Sequence, residues 1–177
     1  MSIVTKRGDD GETDLWFADR VPKHHPQVEA YGAVYEAQAA LGLARATAPE
    51  WLKPGILQIQ KDLFTASSEL ATLRGKAARL KERVGPERVA WAEGEIARYE
   101  SVIKLTDWTL SGESAGGAAL DLALTILRRA ERWAVRLRDE GFVENPDLLV
   151  YLNRLSDLLF LMARAVDRGI VVGGQVG

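Results

Sequence analysis

The sequence contains no cysteine among its 177 residues, and its only two histidines are adjacent, His24 and His25. These absences exclude a disulfide framework, a thiolate metal site and a cysteine nucleophile, and they argue against a multi-histidine metal centre. Excess charge of either sign is missing too: 23 basic and 25 acidic residues leave a net charge of -2. That balance argues against a partner gripped by bulk charge, so neither nucleic acid nor a membrane surface is expected. A compact phosphate site needs only a few local cations and stays open. No apolar run reaches the ~18 residues that span a bilayer, and the opening residues lack a signal-peptide core. The expectation is a soluble, cytoplasmic protein.

What is present is ordinary globular composition, 47% hydrophobic and 27% charged, and a length near the ~150 residues of one domain. The six prolines, at 22, 26, 49, 54, 86 and 146, all fall outside or at the start of periodic apolar segments. A helix tolerates proline in its first turn, where the missing N–H has no intrahelical partner anyway. Five helices are predicted between these marks, over about 26–46, 54–73, 86–104, 116–138 and 146–168. The second has the cleanest stripe, Ile56, Ile59, Leu63, Ala66, Leu70 and Leu73, at alternating threes and fours. The fourth is apolar nearly all round in its first half, which implies burial on several sides. No segment shows strand alternation with hairpin turns, so the expected fold is an all-α up-down bundle forming one domain over 1–177. Residues 1–25 are expected as a non-helical arm, 26–168 as the bundle and 169–177 as a frayed tail. The connection 105–115 is longer than a bundle needs, and long ordered connections are often functional.

Three clusters could carry chemistry. The arm reads Thr5-Lys6-Arg7-Gly8-Asp9-Asp10-Gly11-Glu12-Thr13-Asp14, with glycines, hydroxyls and cations that suit a phosphate cradle and carboxylates that could hold magnesium through water. A solvated acidic turn is the plain alternative. In Arg128-Arg129-Ala130-Glu131-Arg132, Arg128 and Arg132 lie one turn apart beside Glu131, either as a surface ion-pair ladder or as a guanidinium pair for phosphate. In Asn153-Arg154-Leu155-Ser156-Asp157, Asn153 is expected to be at least partly inward, needing a polar or ligand partner.

Together and in this order these clusters resemble the PduO-type ATP:cob(I)alamin adenosyltransferases, over nearly the whole chain. The matching stretches are Thr5 to Gly11, then Arg20 and Lys23, then Val28-Glu29-Ala30-Tyr31-Gly32, Arg128 to Arg132, and Tyr151 to Asp157. The resemblance implies a homotrimer of five-helix bundles with active sites between subunits. ATP and Mg²⁺ would sit in the arm of one subunit, contacted by Thr5, Lys6, Arg7, Gly8, Thr13, Asp14 and Lys23. Arg128, Glu131, Arg132 and Asn153 would close on the phosphates. The implied reaction is attack of a Co(I) corrinoid, cobalamin, on the ribose 5′ carbon, with triphosphate leaving. The metal is then the nucleophile and no protein nucleophile is needed, while cations stabilise the departing charge. Trp108 matches the family's bulky aromatic before the fourth helix.

The sequence departs from that pattern on the corrinoid side. Tyr35 stands where the family has aspartate, Leu124 where it has arginine, Leu127 where it has cysteine, and Ser111-Gly112-Glu113 where it has a Pro-Gly segment. The pocket is accordingly expected to be lined by Tyr35, Gln38, Trp108, Leu124 and Leu127. The alternative is the same trimer with a diverged or engineered interface pocket, binding another apolar small molecule or running a non-native reaction.

Overall fold

The computed structural model describes residues 4–106 and 108–173. Five helices dominate: α1 (Pro26–Thr47), α2 (Lys53–Leu70), α3 (Pro86–Val102), α4 (Ala115–Asp139) and α5 (Pro146–Asp167). Their starts follow from local chemistry. Proline opens α1, α3 and α5, and capping groups take up free N–H groups of the first turn: His25 Nδ1 accepts from Gln27, Ser114 Oγ from Gly117 and Asn145 Oδ1 from Asp147. Each such cap is worth about 1 kcal/mol.

The helices alternate in direction along the chain. Gln27 on α1 donates to the Leu70 and Thr72 carbonyls at the far end of α2. Glu69 of α2 accepts from the Val84 N–H and Asp62 from Arg88, so α3 runs back along α2. On α4 and α5, Asp121 meets Arg164 and Glu131 meets Asn153. The spatial order nevertheless differs from the chain order. α4 packs against both α1 and α5, while α2 packs mainly on α1 and α3 mainly on α5. The α1–α4 contact is the most extensive. Both helices bury many small residues, Ala30, Ala33, Ala37, Ala40 and Ala44 on α1 and Ala119, Ala123, Ala130 and Ala134 on α4. Small side chains let two helix backbones approach closely and bury their faces completely. Leucines of α4 and α5, among them Leu120, Leu127, Leu152, Leu155 and Leu159, fill the centre, each worth about 1.5–3 kcal/mol when fully buried.

The arm departs from the all-α expectation. Glu12–Asp14 (β1) and Arg20–Pro22 (β2) pair antiparallel, Glu12 opposite Pro22 and Asp14 opposite Arg20. Strands of three residues are too short to show a two-residue period, and no Asn-Gly turn marks the hairpin. Leu15 and Val21 are buried, and the Trp16 N–H donates to the Ala71 carbonyl at 2.9 Å, docking the hairpin on the end of α2. Among the described residues, no helix is long and apolar enough to cross a membrane.

A buried polar knot ties three helices. Tyr151 on α5 donates to Asp62 on α2 at 2.6 Å, and Arg88 on α3 donates to the same carboxylate at 2.9 Å. Burial, followed by the Asp62 charge, pushes the Tyr151 hydroxyl far above its ordinary value, so it remains a donor. Tyr151→Phe should lower unfolding free energy by about 1–2 kcal/mol, read as a lower urea midpoint at unchanged slope. An unchanged midpoint would show that the knot contributes nothing.

Candidate functional site

The arm folds as two successive turns, with Asp9 N–H donating to the Lys6 carbonyl and Gly11 N–H to the Gly8 carbonyl, both at 3.3 Å. Gly11 takes a φ of +83°, in the left-handed region where a side chain is strained. Arg20 is the hub. Its guanidinium reaches Asp10 at 3.0 Å and Glu12 at 2.9 Å, and it donates to the Arg7 carbonyl at 3.0 Å. Arg7 pairs in turn with Asp14 at 2.9 Å. Lys23 donates to the Gly8 carbonyl at 2.7 Å, closing the loop from the far side of the hairpin. Thr5, Lys6, Arg7, Gly8, Thr13, Asp14 and Lys23 thus share one small, open loop. The organising role of Arg20 was hidden in the sequence, because its three carboxylates lie 6 to 10 positions away and meet it only across the hairpin.

The arginine cluster divides by helical phase. Arg129 turns towards α1 and is paired with Glu36. Arg128 and Arg132, one turn apart, are exposed and carry no hydrogen bond or ion pair among the described residues. With Glu131, Val135, Asn153, Ser156 and Asp157 they line a cleft of ≈ 350 Å³ between α4 and α5. Asn153 is exposed there, not inward as the stripe implied, and its Nδ2 donates to Glu131 at 3.2 Å. Two unpaired guanidiniums beside an amide and an orienting carboxylate form a receptive surface for a polyanion. No hydrogen bond, ion pair or shared cleft joins this surface to the arm of the same chain among the described residues.

A larger cavity of ≈ 460 Å³ adjoins it, lined by Leu105, Thr109, Ser111, Leu124, Phe160, Arg164 and others, with Arg128 and Asp157 lining both. Trp108 lines a neighbouring opening with Leu105, Thr109 and Phe160 and is itself fully exposed, at 102%. Tyr35 is exposed on α1, edge-on to Tyr31 with ring centroids 5.6 Å apart. Two expected pocket residues lie elsewhere. Leu127 is 0% exposed in the core, because the residue before Arg128 falls on the inward face of α4. The Gln38 side-chain amide donates to the Gln60 carbonyl, and the Gln60 side-chain amide donates back to the Gln38 carbonyl, across the α1–α2 contact. Among the described residues, no three His, Asp or Glu side chains gather as a metal cage.

Fold and site together define an all-α bundle with a turn-rich, ion-paired arm and two free arginines in a separate cleft. The sequence model of the cobalamin adenosyltransferase family matches residues 3–166, and the chain belongs to that family. It is 38% identical over 169 residues to the corrinoid adenosyltransferase PduO of Salmonella typhimurium, covering 94% of this chain and 50% of that protein. The chain thus spans half the length of that relative, and half of the Citrobacter freundii PduO at 40% identity. A second Citrobacter freundii corrinoid adenosyltransferase is 36% identical over 170 residues and matched over 93% of its length. Among solved structures, a variant PduO-type ATP:corrinoid adenosyltransferase from Lactobacillus reuteri, complexed with cobalamin and ATP, superposes with a TM-score of 0.87 at 32% identity. That match covers 94% of this chain and 91% of that one.

The arm's order depends on its ion pairs. Arg20→Gln should speed amide exchange over residues 8–14 several-fold, while the urea midpoint of the whole protein stays unchanged because the pairs are exposed. Acid should loosen the same segment. The Glu12 N–H, helped by Arg20, holds the Asp10 carboxyl below its ordinary value of 3.8. Its contribution is therefore complete above that value and lost as the pH falls through the lower folded one. Exchange that ignores both changes would show that the hub does not order the loop.

Proposed function

We propose that this protein is an ATP:corrinoid adenosyltransferase acting as a homotrimer in the cytoplasm, its sites formed by the arm of one subunit and the arginine cleft of the next. The observation that carries this reading is the separation of the two halves. A single chain presents a phosphate-sized loop and, apart from it, two arginines without partners. The ATP and cobalamin bound to the Lactobacillus reuteri relative supply the substrates for a site of this composition.

The arm's turns, with Thr5, Lys6, Arg7, Gly8 and Lys23, receive the triphosphate. Asp10, Glu12 and Asp14, already engaged by Arg20 and Arg7, would hold magnesium through water and not directly. In this reaction the electron pair of the substrate's Co(I) would form the bond to C5′ of the ribose as the C5′–O bond breaks, and triphosphate would leave with the electron pair of that broken bond. Arg128 and Arg132 meet that growing negative charge with fixed, unpaired donors, and Glu131 holds Asn153 beside them. The position of Arg128 on both cavities suits it to the point where nucleotide and corrinoid meet. Trp108 and Phe160 supply apolar cover against water on the corrinoid side. The diverged-pocket alternative keeps only part of its lining, because Leu124 and Ser111 border the cavity while Leu127 and Gln38 do not.

Adenosylcobalamin and triphosphate should form from cob(I)alamin, ATP and Mg²⁺, followed by the corrin absorption spectrum. Arg128→Ala or Arg132→Ala should each cost about 10²–10³ in kcat, whereas Arg129→Ala, already neutralised by Glu36, should cost less than about tenfold. No product above the uncatalysed background would sink the reading. An equal mixture of Lys23→Ala and Arg132→Ala subunits should recover activity at about a quarter of its sites if each site spans two subunits of a closed ring. No recovery, with subunit exchange demonstrated, would place both halves in one chain.

A further inference from the structure

One buried ionic group has no part in the chemistry above. Arg164, near the end of α5, is 3% exposed. Its Nη2 donates to Asp121 of α4 at 2.6 Å and to Asp167 at 2.8 Å. Its Nη1 donates to the Thr109 hydroxyl at 3.0 Å. Neutralising two buried carboxylates is a structural task, and Thr109 is not needed for it. The guanidinium is planar and rigid, however, so fixing one terminal nitrogen between two carboxylates also fixes the direction of the other.

Thr109 belongs to the irregular connection between α3 and α4. The end of α5 holds that connection at three points. Arg168 donates to the Lys104 carbonyl at 2.8 Å, Arg164 to Thr109, and Asp167 accepts from Ser114 at 2.7 Å. Leu105, Trp108 and Leu110, between the outer anchors, are all exposed. An apolar segment held this way keeps its side chains presented and does not collapse onto the bundle. Thr109 is also shared by the larger cavity, where Arg164 is part of the wall, and by the opening beside Trp108.

We propose that Arg164 is a positioning residue: through Thr109 it sets where the connection carries Trp108 at the opening beside the cavity, and thereby sets corrinoid affinity without acting on the nucleotide. This rests on the adenosyltransferase reading given above. The inference separates Arg164, which touches no substrate, from Arg128 and Arg132, which do.

The decisive variant is Thr109→Val, which removes the hydroxyl acceptor, keeps the branched shape and leaves both buried carboxylates paired. Initial rates of adenosylation are measured against cob(I)alamin at saturating ATP, and against ATP at saturating corrinoid. The corrinoid KM should rise about fivefold or more while the ATP KM stays within about twofold, at unchanged melting temperature. Hydrogen exchange should quicken in peptides covering the connection and not in α2. Arg164→Lys, which retains the charge between Asp121 and Asp167, should fold and show the same split. Arg164→Met is expected to destabilise the whole end of the bundle and is not diagnostic alone. Equal shifts in both KM values, or an unmoved corrinoid KM, would overturn the proposal. Should the wild-type chain make no adenosylcobalamin, the adenosyltransferase reading falls separately. Exchange then decides the tether: a faster connection in Thr109→Val upholds it, and an unchanged one removes it.

Discussion

The register of α4 against its two neighbours is the constraint on which the rest of the molecule depends. α4 packs on both α1 and α5 and buries alanines and leucines in doing so, so much of its surface is committed to the core. Its first turn is set by a close approach. A Cβ at Gly117 would collide with the Asp167 carboxylate, which accepts from the capping Ser114. Once that end is fixed, the helical period decides every later position. Leu120, Leu124, Leu127, Ala130 and Ala134 go inward, and Arg128 and Arg132 go out beside α5. A helix rotated by one residue would bury a guanidinium, at a cost far above that of any single lost apolar contact.

That arrangement explains how a chain of nearly neutral total charge can leave both arginines of one cleft without partners. Most of its arginines are answered within the fold: Arg20 by the arm's carboxylates, Arg88 by Asp62, Arg129 by Glu36, Arg164 by Asp121 and Asp167. Arg128 and Arg132 stand apart from that pattern, on a face where Glu131 is turned to Asn153. Net charge was therefore the wrong scale on which to look for an anionic ligand. The relevant quantity is which cations the fold leaves unpaired, and where.

Much of the fold was legible because prolines, caps and apolar periodicity agree locally. The predicted helices differ from the observed ones by three residues or fewer at their ends. The hairpin in the arm was not legible, since its pairing is fixed by Arg20 and by docking on α2 and not by alternation within three-residue strands. The arm loop and the arginine pair were visible as residue types in order. Their separation within one chain was not, because spacing along a sequence says nothing about which end of a bundle a residue reaches. Asn153 shows the same limit: its place in the apolar stripe pointed inward, yet it lies at the edge of that stripe, in the cleft.

By itself, the sequence determined the helices and their order, the absence of a protein thiol, the family and the groups available for phosphate. These follow from local chemistry and from short patterns that read the same in any surroundings. Only the tertiary structure decided which arginines stay free, that Leu127 and Gln38 belong to the packing while Leu124 borders a cavity, and that Arg164 reaches Thr109 across 55 positions of chain. The reason is the same in each case. A side chain's role here is set by which other side chain neutralises or covers it, and that partner lies on another helix.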